Sequence, residues 1–168
     1  LQALGIAPLD AEEVIQPSQP ETLYMLPHAS LHGIAGEIVR EIEPITEAHP
    51  AALLLTFLTA AGNIAGRHCG VYAGNTWHHP RLFSAMVGET SKGRKGTSMA
   101  AVSEILNIAD ENWRETRIQF GLASGEGVIN AVRDPSIDDE KDSGVEDKRL
   151  LIFDEELGRT LGLFKKAD

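Results

Sequence analysis

The sequence predicts an α/β fold, a mainly parallel sheet flanked by helices, on three observations. An apolar run, Leu82 to Val87, leads into a glycine-rich basic stretch, Gly88 to Ser98, and then into an amphipathic helical pattern from Met99 to Leu106. A second short apolar run within Arg117–Ala123 leads into Ser124-Gly125-Glu126-Gly127 and another helical pattern, Val128 to Val132. A third, Leu150-Leu151-Ile152-Phe153, ends in Asp154, Glu155 and Glu156. Strands separated by helices are what parallel pairing requires, because parallel neighbours need a crossover between them.

The elements run in order along the chain. Residues 1–27 hold Pro8, Pro17, Pro20 and Pro27 with little periodicity, and read as a linker or arm. The chain begins at Leu1 rather than Met, which is read as a fragment of something longer. Residues 28–66 read as a helical cap. Ser30 is the expected N-cap of a first helix, in which Leu31, Ile34, Ala35, Ile38, Val39 and Ile42 recur at helix spacing before Pro44. A second helix starts at Pro50, runs to about Ile64 and is apolar nearly all round, which predicts burial. Residues 67–168 read as the front part of a nucleotide-binding core. A strand is expected near 69–73, with a turn at Gly74-Asn75. Asp134 to Lys148 reads as a mobile acidic loop.

Composition bounds the partners. The chain has 168 residues and a net charge of −10, which argues against a uniformly basic nucleic-acid-binding surface. Asp134–Lys148 alone carries seven acidic and two basic residues, half of that excess. Arg81, Lys92, Arg94 and Lys95 cluster instead around the glycine-rich stretch, so a small polyanion suits the site better than a long duplex. A single cysteine, Cys69, excludes an internal disulfide framework and fits a reducing, cytoplasmic setting. No secretory signal is visible, and the longest apolar stretch, Ala51 to Ala61, is too short to span a bilayer.

The glycine-rich stretch is Gly88-Glu89-Thr90-Ser91-Lys92-Gly93-Arg94-Lys95-Gly96-Thr97-Ser98. Between a strand and a helix, such a stretch can curl its backbone N–H groups around phosphate oxygens, with the helix's positive end aimed at the same anion. The usual spacing is G-x-x-x-x-G-K-[ST]. Gly88 and Gly93 fit it, but Arg94 then stands where lysine belongs. One inserted residue makes Lys95 the phosphate lysine and Thr97 or Ser98 the Mg²⁺ ligand, and Lys95 with Thr97 is preferred. The plain alternative is a basic turn. Downstream, Asp154 is the expected metal-orienting acid, and Glu155 or Glu126 the residue that polarises the attacking water. Glu126 also has a plain reading, an acid in a helix's first turn. His68, Cys69, His78 and His79 match no common zinc spacing and read as polar strand-edge residues with one thiol.

The runs Leu31–Arg40, Gly88–Ser98, Ser124–Gly127 and Leu151–Glu156 together resemble the RecA-like P-loop ATPases of the DUF3987 and primase-associated helicase type, found in phages, plasmids and mobile elements. The likeness covers roughly residues 26–165. It implies ATP and Mg²⁺ as ligands and ATP hydrolysis coupled to DNA replication, with helicase activity in a homo-oligomeric ring. It also implies single-stranded DNA and a primase-polymerase as partners, and no membrane. By position, Gly88, Gly93, Lys95, Gly96 and Thr97 match the phosphate loop and Asp154 the metal-orienting acid. The sensor strand and arginine finger of that family are not identifiable, so the chain resembles a core truncated at its C-terminal side. Two other classes remain open: a non-catalytic, nucleotide-dependent interaction module that recruits a primase or ring partner, and a small-molecule phosphotransferase.

Overall fold

The computed structural model describes residues 26–87, 95–121, 124–138, 141–156 and 158. It is a mixed α/β structure. Among the described residues the α-helices are α1 (Gly33–Ile42), α2 (Pro50–Ala65), α3 (Lys95–Ala109), α4 (Glu111–Thr116) and α5 (Gly125–Ala131). Four strands are β1 (Val71–Ala73), β2 (Thr76–His78), β3 (Ile118–Phe120) and β4 (Leu151–Phe153). They form two small sheets, an antiparallel β1–β2 hairpin and a parallel β3–β4 pair.

Each helix can be traced to its sequence. In α1, Gly36, Val39 and Ile42 are buried at spacings of three, with Ala35 and Ile38 packed beside them and Glu37, Arg40 and Glu41 on the polar side. Ser30 does not cap it. Ser30 lies in a short 3-10 turn, His28–Ser30, and His32 takes the N-cap position without a side-chain bond. Pro50 starts α2 where a missing N–H does no harm, and the His49 ring accepts a hydrogen bond from the Ala51 amide at 3.1 Å. Leu53, Thr56, Phe57 and Ala60 form the buried stripe of α2. Ser98, Met99, Val102 and Leu106 form that of α3. The stripes of α1, α2 and α3 meet in one apolar core with Trp113 of α4 and Leu151 of β4, so the helical segment 28–66 shares its core with the rest of the chain.

The expected strand at 82–87 does not form. Residues 81–87 carry no ladder, and Phe83 and Val87 are essentially fully exposed. An apolar run becomes a strand only when a neighbour takes its N–H and C=O groups, and none does so among the described residues. The run lies instead along α2, with the Ser84 and Thr59 hydroxyls 3.2 Å apart.

Polar contacts fix β4 against the helices. Asn63 of α2 accepts from the Trp113 indole N–H at 2.7 Å and donates to the Leu150 carbonyl at 3.0 Å. Arg149 donates to the Ile64 carbonyl at 3.0 Å and to the carboxylates of Asp110 (2.7 Å) and Asp147 (2.8 Å). Asp110 also caps α4 by accepting from the Trp113 amide at 2.9 Å. The buried Arg117 ties β3 to the Arg149 carbonyl at 2.6 Å and to the Ala131 carbonyl at the end of α5 at 2.8 Å. The acidic loop closes on Arg133, which binds Asp142 through two nitrogens at 2.8 and 3.2 Å, while Lys148 pairs with Asp134 at 2.9 Å.

This network makes an acid-dependent contribution to stability. Asp147 is held below the ordinary carboxylate pKa chiefly by Arg149, and Asp110 by the Trp113 amide and then by Arg149. A carboxylate with a depressed folded pKa stabilises above its unfolded value of 3.8, and that contribution is lost as pH falls through the folded value. Asp147→Asn should therefore be less stable than the parent at neutral pH, with the gap closing as pH falls below 3.8. Denaturant midpoints from neutral to acid pH check this. A gap that stays constant would remove Asp147 from the acid response.

Candidate nucleotide site

Two segments predicted to build the site come together. Gly96, in the first turn of α3, abuts Glu155 just beyond β4: a Cβ placed on Gly96 would stand 2.6 Å from Glu155 Oε1. A side chain at Gly96 would push the Glu155 carboxylate outward from the helix backbone. A helix N-terminus carries partial positive charge and free N–H groups, so a carboxylate beside it is favourable.

The position of Glu155 is set by the contacts below it. Leu151 is buried in the core, and Arg117 N–H and C=O groups bracket the start of the β3–β4 ladder. The register Ile118↔Leu151, Gln119↔Ile152, Phe120↔Phe153 brings both strands to a common end, where the Gly121 amide donates to the Phe153 carbonyl at 2.8 Å. The Phe120 and Phe153 rings meet edge-on, centroids 6.0 Å apart. Asp154 emerges at this carboxyl end, half-buried, and its carboxylate accepts the Glu156 amide at 2.9 Å. That local turn fixes the Asp154 side chain while Glu155 and Glu156 remain exposed.

These acids line a cleft of about 2040 Å³, shared with Thr56 and Asn63 of α2, Met99 of α3 and the 81–87 segment. Usual ligand pockets hold roughly 300–1,000 Å³, so this is an open trough, with Met99 as its α3 wall and Gly96 and Thr97 outside its lining.

The other predicted residues are spread more widely. Gly88, Glu89, Thr90, Ser91, Lys92, Gly93 and Arg94 lie outside the described residues, as does the side chain of Lys95, whose backbone opens α3. Thr97 is exposed in the first turn of α3. Ser98 is fully buried, its hydroxyl 3.1 Å from that of Thr56, which puts it in the packing between α2 and α3. Of the two hydroxyls weighed as metal ligands, Thr97 is thus the accessible one. Glu126 is exposed in the first turn of α5, behind a Ser124 cap that accepts the Gly127 amide at 3.0 Å. It does not line the cleft, whereas Asp154 and Glu155 do.

No cluster of three or more His, Cys, Asp or Glu able to hold a metal occurs among the described residues, His68, Cys69, His78 and His79 included. A magnesium ion carried on a triphosphate needs only one or two protein oxygens, and Thr97 and Asp154 would suffice in number. Sequence reasoning missed Asn63, Trp113 and Arg149, which position β4. The signal for Asn63 was available: it is a lone amide in an otherwise apolar helix.

No known protein family, curated protein or solved structure matches the chain. No helix among the described residues is long and apolar enough to cross a membrane.

Proposed function

We propose that the chain is the ATP-binding and ATP-hydrolysing module of a DNA-replication protein, with a RecA-like P-loop core of the helicase kind. The observation that carries this reading is the approach of Gly96 to Glu155. Gly96, in the glycine-rich basic stretch, and Glu155, just after the acid-ended strand, lie far apart in sequence but close in space.

On this reading the amides of Gly88 to Gly96 and the Lys95 ammonium hold the phosphates. Thr97 and Asp154 hold the magnesium ion, which when bound offsets phosphate charge. Glu155 accepts a proton from the attacking water. The partners are single-stranded DNA, a primase-polymerase and further copies of the same protein. Phe83 and Val87, exposed beside the site, favour a second reading: a nucleotide-dependent module that recruits a partner without turnover.

Binding of Mg-ATP to the intact polypeptide tests the site. Lys95→Ala and Asp154→Ala should each weaken it by roughly tenfold or more, the size of a lost charge-assisted contact. If neither does, the site assignment is wrong.

A further inference from the structure

The β1–β2 hairpin takes no part in the apolar core. All six strand residues are exposed, and none belongs to the core cluster. Yet it carries two large aromatic rings. Tyr72 and Trp77 are cross-strand partners and so share one face. Their centroids lie 4.9 Å apart at 64°, and the His79 ring adds a third edge 6.2 Å from Trp77.

The rings are held in place. The Trp77 indole rests against Gly70, where a Cβ would come within 2.7 Å of the indole carbon Cε2. His79 Nδ1 lies 3.2 Å from the Cys69 carbonyl, closing the hairpin's base. A two-residue Gly74-Asn75 turn, with Gly74 at φ 61°, joins the strands. Tyr72 remains 73% and Trp77 42% exposed, so each keeps ring surface open to solvent.

The electrostatics of this region differ from those of the chain as a whole. Ala48 to Gly88 contains no Asp or Glu, in a protein of net charge −10. Arg67, His68 and Arg81 stand at the root of the hairpin and line the same cleft as the acid-ended strand. Exposed aromatic faces on an acid-free stretch of chain, with Arg67 and Arg81 at its two ends, suit a ligand offering both π-faces and phosphates, even though the cleft those cations line also holds carboxylates. A single strand of nucleic acid offers both, whereas a duplex hides its base faces and would present more phosphate than an acidic protein tolerates.

We propose that the β1–β2 hairpin is a stacking platform for single-stranded nucleic acid, with Tyr72 and Trp77 taking bases and Arg67 and Arg81 taking phosphates. The inference names the surface for one partner of the proposed replication role, but its test needs no nucleotide. Failure at the ATP site therefore leaves it standing, and its own failure leaves the ATP site untouched.

The experiment is titration of the intact polypeptide with fluorescent oligothymidylate in the absence of ATP, read by anisotropy and by intrinsic tryptophan emission. The chain has two tryptophans, and Trp113 is fully buried, so saturable quenching reports on Trp77. Tyr72→Ala and Trp77→Ala should each weaken binding roughly tenfold, while Trp77→Phe retains most of it. Arg67→Ala with Arg81→Ala should flatten the salt dependence. Unchanged melting temperatures confirm folding, as expected for residues outside the core. Unquenched tryptophan, unaltered affinity in the alanine variants, or equal competition by duplex would overturn the proposal. So would loss of a protein partner, rather than of the oligonucleotide, in Trp77→Ala.

Discussion

Glu155→Gln in the intact polypeptide should bind Mg-ATP at least as tightly as the parent while single-turnover hydrolysis falls by roughly a hundredfold or more. The amide keeps the shape of the side chain, and the residue is exposed, so folding is not at stake. What is lost is the proposed proton acceptor at the carboxyl end of β4. Glu126→Gln is the matched comparison, since Glu126 is exposed on α5 and does not line the cleft. Its hydrolysis should stay close to that of the parent. A reversed pattern would transfer the water-activating role to Glu126. Binding without hydrolysis in the parent itself would favour the recruitment module.

The second large effect concerns stability. Trp113→Ala should lower the unfolding free energy by about 3–5 kcal/mol, the range for truncating a large buried aromatic. Trp113 is fully buried at the junction of α2, α3 and α4, and its indole N–H satisfies Asn63. Truncation opens a cavity and leaves the Asn63 carbonyl oxygen without its donor. Against a typical total of about 5–15 kcal/mol, such a loss is large. Trp113→Phe refills most of the volume but still strips Asn63, so an intermediate loss is expected. Denaturant midpoints measure both. An unchanged midpoint in Trp113→Ala would show that this junction contributes little to stability.

Much of the helical structure was legible because its periodicity is long and regular. Leu31, Ile34, Ile38 and Ile42 announce α1, Pro50 and the apolar run after it announce α2, and the acid after Phe153 announces the end of a strand. The hairpin was only half visible. Val71-Tyr72-Ala73 reads as a strand, but Thr76-Trp77-His78 is three residues with neither face buried, so no alternation marks it. Helix α4 hid for a similar reason: six residues with one buried side chain, signalled only by the Asp110 cap. The run Leu82–Val87 misled in the other direction. Its apolarity resembles a buried strand, but pairing is a property of two segments and cannot be read from one.

The site was legible as two halves and not as a geometry. Residue types and order pointed to Lys95, Thr97, Asp154 and Glu155, but spacing alone could not separate Thr97 from Ser98. The Thr56 hydroxyl does so, by engaging Ser98 across a helix interface formed by residues 42 positions apart. Glu155 was preferred to Glu126 only narrowly for the same reason, since each stands just after a strand. Their difference lies in which one the fold turns toward α3.

The closeness of Glu155 to Gly96 also gives the site an occupant of its own. A negative side chain already rests at the electropositive tip of α3, the seat an arriving triphosphate would claim. On the proposed reading, entry of the nucleotide would displace the carboxylate, and the displaced group is the one proposed to attend the water. Loading and arming the site would then be a single exchange, with the protein's own acid as the plug that the proposed nucleotide would remove.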